Sequence, residues 1–147
     1  MAALVCCDTS FLFSLYGRDA HTPRAAATVN HLRQPLTITS LNEYELTNAV
    51  QFAVFRKLLT SAEAKVILAA FEADAQAGRL ALDRCNLADV VAQARKLSLA
   101  HTAGGGHRSF DTLHVAAAVC VSAKTFLTFD DRQRVLARAA GLQVATN

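Results

Sequence analysis

The amino-acid sequence predicts an α/β fold in which helices cover both faces of a parallel sheet. Short apolar segments alternate with longer segments of helical periodicity along the 147 residues, which is the pattern of such folds. The segments at residues 3–7 and 125–129 show little polar alternation, as is typical of strands buried on both faces. Each is followed directly by an acid, Asp8 or Asp130. Because ligands bind at the carboxyl ends of the strands in open α/β sheets, these acids indicate one shared acidic site.

Length and composition indicate a single domain over residues 1–147, large enough to bury a substantial core. Hydrophobic residues make up 52% of the chain, which excludes a mainly disordered protein. The longest apolar stretch, residues 115–121, is too short to cross a membrane, and no basic-then-apolar leader is visible, so we expect a cytoplasmic protein without a membrane partner. The cysteines have no CxxC spacing, so we expect buried, reduced thiols and no zinc site: Cys6, Cys7, Cys85 and Cys120.

The net charge of +3 conceals the separation of charge that an acidic site would create. The chain has 15 Lys and Arg residues and 12 Asp and Glu residues. If four acids gather in one site, 8 acids oppose 15 cations elsewhere, a surplus of 7. Arginine supplies 11 of the 15 cations, and its guanidinium fork suits bidentate contacts with phosphate. The surplus therefore fits either a polyanionic substrate or an ordinary solvated surface.

Two helices and a strand are predicted to follow the first strand. The first helix can be capped by Thr9 or Ser10 and ends at the first glycine of the chain. The second is predicted over residues 23–33, because Pro23 suits the first turn of a helix. A short second strand is predicted at residues 36–39, after the break that the next proline imposes.

The middle of the chain is predicted to form a pair of helices. Ser40 is expected to cap the first of them, which reaches about residue 59, because Glu43 stands three residues later as in a capping box. The second helix begins at residue 60 or 61 and keeps apolar residues at helical spacing up to Gly78.

The second half of the chain continues the alternation of strands and helices. Three consecutive glycines predict a flexible break, and Ser109 is expected to cap a helix so apolar that it must be buried nearly all round. The predicted elements are a weak strand at 80–82, a helix from Asn86, the glycine break at 104–106, a helix at 110–121, a strand from 125, a helix at 131–140 and an edge strand at 142–144.

Asp8 and Glu45 are candidate site residues for different reasons. Asp8 could act only as a helix N-cap, but Thr9 or Ser10 could do so without burying a charge. Glu45 is four residues from Leu41 and from Ala49, so it points with an apolar face of its helix. A glutamate there is costly unless it is paired or binds a metal ion, whereas Glu43 is better explained by capping.

Two further acids belong to the second half of the chain. Asp111 lies in the first turn of the apolar helix, where it could serve the site or only interact favourably with the helix dipole. Asp130 and Asp131 compete for the position at the end of the last long strand. Asp131 can cap the final helix, which leaves Asp130 as the expected site residue.

Four carboxylates in one place would take up protons unless a cation neutralised them. Oxygen ligands without cysteine or histidine select Mg²⁺ or Mn²⁺, and these ions catalyse phosphoryl transfer. Arginines around the acidic pocket would bind a polyanion whose scissile phosphate reaches the metal. The residues therefore indicate a nuclease.

Four blocks of the sequence resemble the PIN-domain family, and most of all its VapC-type ribonuclease toxins: Asp8-Thr9-Ser10-Phe11-Leu12, residues 39–49, Phe110-Asp111-Thr112-Leu113-His114 with the alanine-rich turn after it, and Leu127-Thr128-Phe129-Asp130. The resemblance spans nearly the whole chain. It implies a three-layer α/β/α sandwich with a parallel central sheet and a Mg²⁺- or Mn²⁺-dependent endoribonuclease. It also implies an RNA substrate, a cognate antitoxin protein as partner, and a homodimer.

The resemblance further implies that one acidic quartet is both catalytic and metal-binding: Asp8, Glu45, Asp111 and Asp130. Thr9 and Thr128 match small hydroxyl positions that often flank these acids in the family. The neighbouring acids Glu43 and Asp131 keep the second and fourth assignments open.

Other functions also fit parts of the sequence. The chain could be another α/β phosphoryl-transfer protein, although Ser10 replaces the second acid that a strand-end phosphatase needs and Asp83 offers only a weak receiver-type acceptor. It could also be an inert PIN-like module that binds RNA or protein, against which the intact quartet argues. Surplus apolar residues on the middle helices indicate either a partner groove or dimer face, or burial by neighbouring helices: Phe52, Val54, Phe55, Leu58 and Leu59. The loop at residues 104–107 is a candidate for selecting the RNA.

Overall fold

A computed structural model describes residues 2–144 and shows, within that range, five strands that alternate with seven helices. The predicted alternation is confirmed. In chain order the elements are β1 (Val5–Cys7), α1 (Thr9–Tyr16), α2 (Thr22–His31), β2 (Leu36–Thr39), α3 (Ser40–Phe55), α4 (Ser61–Gln76), β3 (Leu80–Asp83), α5 (Leu87–Gly105), α6 (Ser109–Cys120), β4 (Thr125–Leu127), α7 (Asp131–Ala139) and β5 (Gln143–Val144).

All paired strands are parallel, as predicted. The strands form two hydrogen-bonded groups, β1-β4-β5 and β2-β3, and β2 packs beside β1. Cys7 is opposite Leu127 in the register of β1 and β4, and the backbone N–H of Asp8 donates to the carbonyl of Leu127 at 3.2 Å. Because the two strands run in the same direction, the residues that follow them leave the sheet at the same edge.

The sheet separates two apolar cores, which makes three layers. One core contains Cys7 and residues of α1 to α4, and the other contains Cys6 and residues of α5 to α7. The neighbouring thiols therefore point to opposite faces of β1, and burial raises the pKa of Cys6 to about 12. All four cysteines are free, but the prediction that all are buried is wrong for Cys85, which is half-buried, and for Cys120, which is exposed at the end of α6.

Two of the predicted helix caps in the first half of the chain are wrong. Asp8, not Thr9 or Ser10, caps α1 through its side chain. Thr39, not Ser40, caps α3, and the side chain that completes its capping box is that of residue 42 and not Glu43. The reason is that β2 leads directly into α3, so Thr39 still has extended dihedral angles (φ −119°, ψ 170°) while Ser40 is already helical. Helix α3 also ends earlier than predicted, at Phe55.

The predicted glycine break is also wrong, because α5 continues through Gly104 and Gly105. Only Gly106 has a left-handed conformation (φ 67°), and it ends the helix. Helix α5 packs along α6, and this tertiary contact outweighs the poor helix propensity of glycine. A loop at residues 104–107 that selects RNA is therefore not present as predicted. The N-cap of α6 is Arg108, without a side-chain cap, and not Ser109.

Helix α6 is buried along its middle, as predicted, whereas the cap of α7 differs from the predicted one. Residues 114–118 of α6 are all buried, as its apolar sequence predicts, although the helix is exposed at its two ends. Asp130, and not Asp131, caps α7 by accepting a hydrogen bond from the backbone of Gln133. No helix within residues 2–144 is long and apolar enough to cross a membrane.

The surplus apolar residues of α3 and of the turn after it are not all buried. Phe52 is 54% exposed, Phe55 77% and Leu58 68%, whereas Val54 and Leu59 are half-buried. The alternative in which neighbouring helices bury them all is therefore wrong. The exposed rings of Phe52 and Phe55 stack on each other, with centroids 5.8 Å apart.

Candidate active site

A cavity of about 670 Å³ opens at the carboxyl ends of β1 and β4. Its walls come from the turns after these strands, from α1 and the turn that follows it, from α3, and from the start of α6. All four acids of the predicted quartet line it: Asp8, Glu45, Asp111 and Asp130. The two competing acids, Glu43 and Asp131, are not among its lining residues. The parallel strands thus bring the strand-end acids together, as expected, while their chemical role stays a prediction.

Asp8 is the most buried of the four acids, with 3% of its surface exposed. Its Oδ1 accepts a hydrogen bond from the backbone N–H of Phe11 at 2.9 Å. Its Oδ2 accepts from the hydroxyls of Ser10 at 2.9 Å and of Thr128 at 2.5 Å. Burial raises the pKa of Asp8, and the hydrogen bonds from Thr128, Phe11 and Ser10 oppose that rise. Asp8 therefore caps α1 and faces the cavity at the same time.

Glu45 reaches the cavity from α3, but not along the core-facing side of the helix. The buried positions of α3 are Asn42, Leu46, Val50 and Ala53, whereas Glu45 shares the cavity wall with Ala49 and Phe52. Its Oε1 accepts a hydrogen bond from Nε2 of His114 at 2.7 Å. Burial would raise the pKa of Glu45, but the hydrogen bonds from His114 and Thr9 outweigh it, and the pKa is lowered. The apolar stripe that predicted the direction of Glu45 is the wall of a site, not part of the core.

His114 belongs to a buried polar cluster that fixes its proton. Oδ1 of Asn42 accepts from the backbone N–H of Thr39 at 2.9 Å, so the amide nitrogen of Asn42 faces Nδ1 of His114, 3.4 Å away. An amide nitrogen only donates, so Nδ1 accepts and Nε2 holds the proton. The imidazole therefore donates to the Glu45 carboxylate.

Asp111 and Asp130 interact electrostatically across the cavity. Burial raises the pKa of Asp111, and the charges of Asp130 and Glu45 raise it further, while Arg108 opposes the rise. Asp130 is exposed, and its backbone N–H donates to the hydroxyl of Thr128 at 3.0 Å. Thr128 is thus hydrogen-bonded to two acids of the site.

The sequence of residues 5–139 matches the family model of the PIN domain. The chain belongs to the PIN domain family. This membership and the α/β architecture confirm the resemblance and the fold class predicted from the sequence motifs. Among curated proteins, none matches this sequence significantly.

Solved structures with the same fold include two bacterial systems. VapC20 of Mycobacterium tuberculosis, described as a toxin that cleaves the sarcin-ricin loop, superimposes with a TM-score of 0.70 at 18% sequence identity, covering 95% of this chain and 96% of that one. FitAcB of Neisseria gonorrhoeae gives 0.64 at 19% identity, covering 97% of each chain. FitAB bound to the IR36 DNA fragment gives 0.67 at 21% identity, covering 97% of this chain and 94% of that one. At these identities the likeness establishes the fold of this PIN domain.

The site of this PIN domain contains residues that sequence reasoning missed. His114 and Asn42 were not expected to support Glu45, although His114 follows Asp111 by three residues and so shares its helix face. Asp19 is a fifth acid in the cavity wall. Its Oδ2 accepts from the Ser14 hydroxyl at 2.7 Å and its Oδ1 from the backbone N–H of His21 at 2.8 Å, so it holds the turn between α1 and α2.

The donor chemistry of the quartet fits a hard divalent cation. Its four side chains offer carboxylate oxygens, and burial, together with the charges of Asp130 and Glu45, raises the pKa of Asp111. A bound cation would favour the ionised form of these acids and relieve their charge interaction. As the side chains stand, no three Asp, Glu, His or Cys residues within residues 2–144 are close enough together to hold a metal ion. Binding would therefore require rotation of the exposed or half-buried carboxylates towards Asp8.

Proposed function

We propose that this PIN domain is an endoribonuclease that depends on Mg²⁺ or Mn²⁺ and acts as the toxin of a toxin–antitoxin pair. The observation that supports the reaction best is the convergence of the four acids on one cavity, together with the unfavourable charge interaction of Asp111 with Asp130 and Glu45. Carboxylates that only served the fold would gain nothing from this crowding, whereas a cation would convert it into binding energy.

Asp8, Glu45, Asp111 and Asp130 would hold the ion. When bound, a divalent ion stabilises charge on a phosphate and lowers the pKa of a water molecule, which is the chemistry that phosphodiester hydrolysis needs. Asp8 is held in place by its three donors, and Glu45 by His114 and Thr9. No comparable side-chain hydrogen bonds to the carboxylates of Asp111 and Asp130 are described within residues 2–144. We therefore expect these two side chains to rotate on metal binding.

The walls of the cavity suit single-stranded RNA. Arg108 brings positive charge to the rim, where it can contact a phosphate next to the scissile one. Aromatic rings also line the cavity, and unpaired bases can stack on such rings: Phe13, Phe52 and Phe110. The lining of the cavity therefore supports RNA with unpaired bases as the substrate.

The proposal of a toxin with a protein partner is supported by the structural neighbours and by the apolar surface of α3. VapC20 is described as a toxin, and FitAB is described as bound to a DNA fragment. The exposed Phe52, Phe55 and Leu58 form the surface on which we expect the antitoxin or a second copy of the chain to bind. The gene next to this one should accordingly encode a small DNA-binding antitoxin.

The reaction is tested by cleavage of RNA with the purified protein. We expect activity with Mg²⁺ or Mn²⁺ that EDTA abolishes. The variants Asp8→Asn, Glu45→Gln, Asp111→Asn and Asp130→Asn should each lose activity by about a hundredfold or more, because each removes one charged ligand. The matched controls Glu43→Gln and Asp131→Asn should retain most of it, since neither side chain lines the cavity.

Full activity in EDTA, or activity only with Zn²⁺, would rule out this mechanism. Loss of activity in Glu43→Gln with normal activity in Glu45→Gln would overturn the assignment of the second acid. Inactivity of the wild type with every divalent metal would favour the alternative of an inert binding module.

A further inference from the structure

The turn between α1 and α2 holds one exposed imidazole at the rim of the acidic cavity. The ring is that of His21, a cavity-lining residue that the proposed reaction does not use. Its backbone is fixed because the Asp19 carboxylate accepts from the His21 N–H, while the Thr22 hydroxyl donates to the carbonyl of Ser14 at 2.6 Å. The backbone that carries this side chain is therefore held by hydrogen bonds within the turn and to Ser14 of α1.

The His21 ring is the outer member of a stack of three rings. It lies against the ring of Phe129, with centroids 4.5 Å apart and planes 8° from parallel. Phe129 in turn stacks on Phe11, whose centroid is 5.3 Å away and whose side chain is 1% exposed. The stack thus joins the buried core to the open cavity, and its exposed end is a flat ring.

The position of the stack relates it to the acids. Phe129 directly precedes Asp130, so the stack lies one residue from the quartet. The guanidinium of Arg24 lies 5.5 Å from the Phe129 centroid, which adds positive charge beside the stack. A flat exposed ring next to a cation is the combination that binds an unpaired base and its phosphate, because every base has a π-face and every nucleotide a negative charge.

We propose that the exposed imidazole of His21 is a stacking platform for an unpaired base of the RNA that enters the acidic cavity. This inference rests on the proposed function, because it takes RNA as the ligand. A base in a duplex is already stacked on both faces, so the platform favours single-stranded over double-stranded RNA. Positive charge alone would not create this preference.

The test measures binding in EDTA, so that no RNA is hydrolysed. The probes are short single-stranded RNA oligonucleotides that contain 2-aminopurine at successive positions, because the fluorescence of this base falls when it stacks. We expect quenching at one position with the wild type. His21→Ala and His21→Leu should lose this quenching and bind about tenfold more weakly, whereas His21→Phe should retain both, since it keeps a flat ring. Leucine keeps apolar contact with Phe129 but has no π-face.

The matched control is His31→Ala, which removes another exposed imidazole from the far end of α2, outside the cavity. It should bind RNA like the wild type. Thermal melts of all variants check that the fold is intact. Equal affinity of wild type and His21→Leu, no quenching at any position, or an equal loss in His31→Ala would each overturn the inference.

The outcome for the platform is separable from the outcome for the proposed function. Cleavage by the wild type with Mn²⁺, together with unchanged binding and quenching in His21→Leu, would refute the platform and leave the nuclease standing. Binding that depends on His21, without cleavage under any metal, would support the platform and refute the nuclease.

Discussion

Thr128 provides a sharp test of how the site is built, because one hydroxyl serves two acids. It donates to Oδ2 of Asp8 and accepts from the backbone N–H of Asp130. Thr128→Val removes both hydrogen bonds while it keeps the shape of the side chain. The bond to the carboxylate contributes about 1.5–3 kcal/mol and the bond from the amide about 1 kcal/mol. We therefore expect the free energy of unfolding to fall by about 3 kcal/mol, and the melting temperature by about 10 °C for a domain of this size.

The stability lost in Thr128→Val should also depend on pH. Burial raises the pKa of Asp8 above its ordinary value, and the hydrogen bond from Thr128 is the strongest influence that opposes this rise. A raised pKa means that the stability contributed by Asp8 is fully present below the ordinary pKa of an aspartate and is lost as the pH rises through the folded-state value. In Thr128→Val the folded-state pKa of Asp8 is expected to be higher still, because the opposing hydrogen bond is absent. The variant should therefore be closest to the wild type at low pH and fall further behind it towards neutral pH.

The assay is a series of thermal melts in EDTA from about pH 3, below the ordinary pKa of an aspartate, up to about pH 7.5. Thr128→Ser is the matched control, because it keeps the hydroxyl and loses only a methyl group. It should stay within about 1 kcal/mol of the wild type. Equal melting temperatures for Thr128→Val and wild type at neutral pH, or a larger loss at low pH, would refute this account of the hydrogen bonds.

Three further predictions concern Asp111, the polar cluster around His114 and the end of α5. Asp111→Asn should raise the melting temperature in EDTA near neutral pH, because burial and the charges of Asp130 and Glu45 raise the pKa of Asp111, and the stability that Asp111 contributes is lost as the pH rises through its folded-state pKa. A variant that melts several degrees lower would show that Asp111 chiefly serves the terminus of α6. His114→Leu should lower the free energy of unfolding by about 2 kcal/mol in urea titrations, because it leaves the Glu45 carboxylate and the Asn42 amide without their shared partner. An unchanged unfolding midpoint would contradict the buried polar cluster. Gly104→Ala should stabilise α5 by about 1 kcal/mol, because an added Cβ there meets no other atom, whereas Gly106→Ala should destabilise it by a similar amount, because Gly106, unlike Gly104, has a positive φ. Equal effects of the two changes in thermal melts would contradict the end of α5 at Gly106.

The strand-end acids show how much of the site was predictable from local sequence. A buried apolar run followed by Asp8, and another followed by Asp130, placed both acids at one sheet edge without any knowledge of the fold. The same local logic failed for the helix caps. Sequence spacing favoured Ser40 with Glu43, but the strand before α3 extends through Thr39, so the cap moved back by one residue. A cap depends on backbone angles that the preceding element determines.

Periodicity along the chain determined the order of strands and helices, the parallel pairing and the side of α3 on which Glu45 lies. It did so because the spacing of apolar residues shows which of them share one face of a helix or strand, whether that face packs in the core or lines a cavity. Only the tertiary structure decided that this stripe of α3 lines a cavity, that His114 from α6 holds Glu45, and that His21 stacks on Phe129. Glu45 and His114 are 69 positions apart in the sequence, and His21 and Phe129 are 108 positions apart. A local sequence pattern does not predict such a contact, because the contact depends on how separate elements pack and not on the conformation of any one of them.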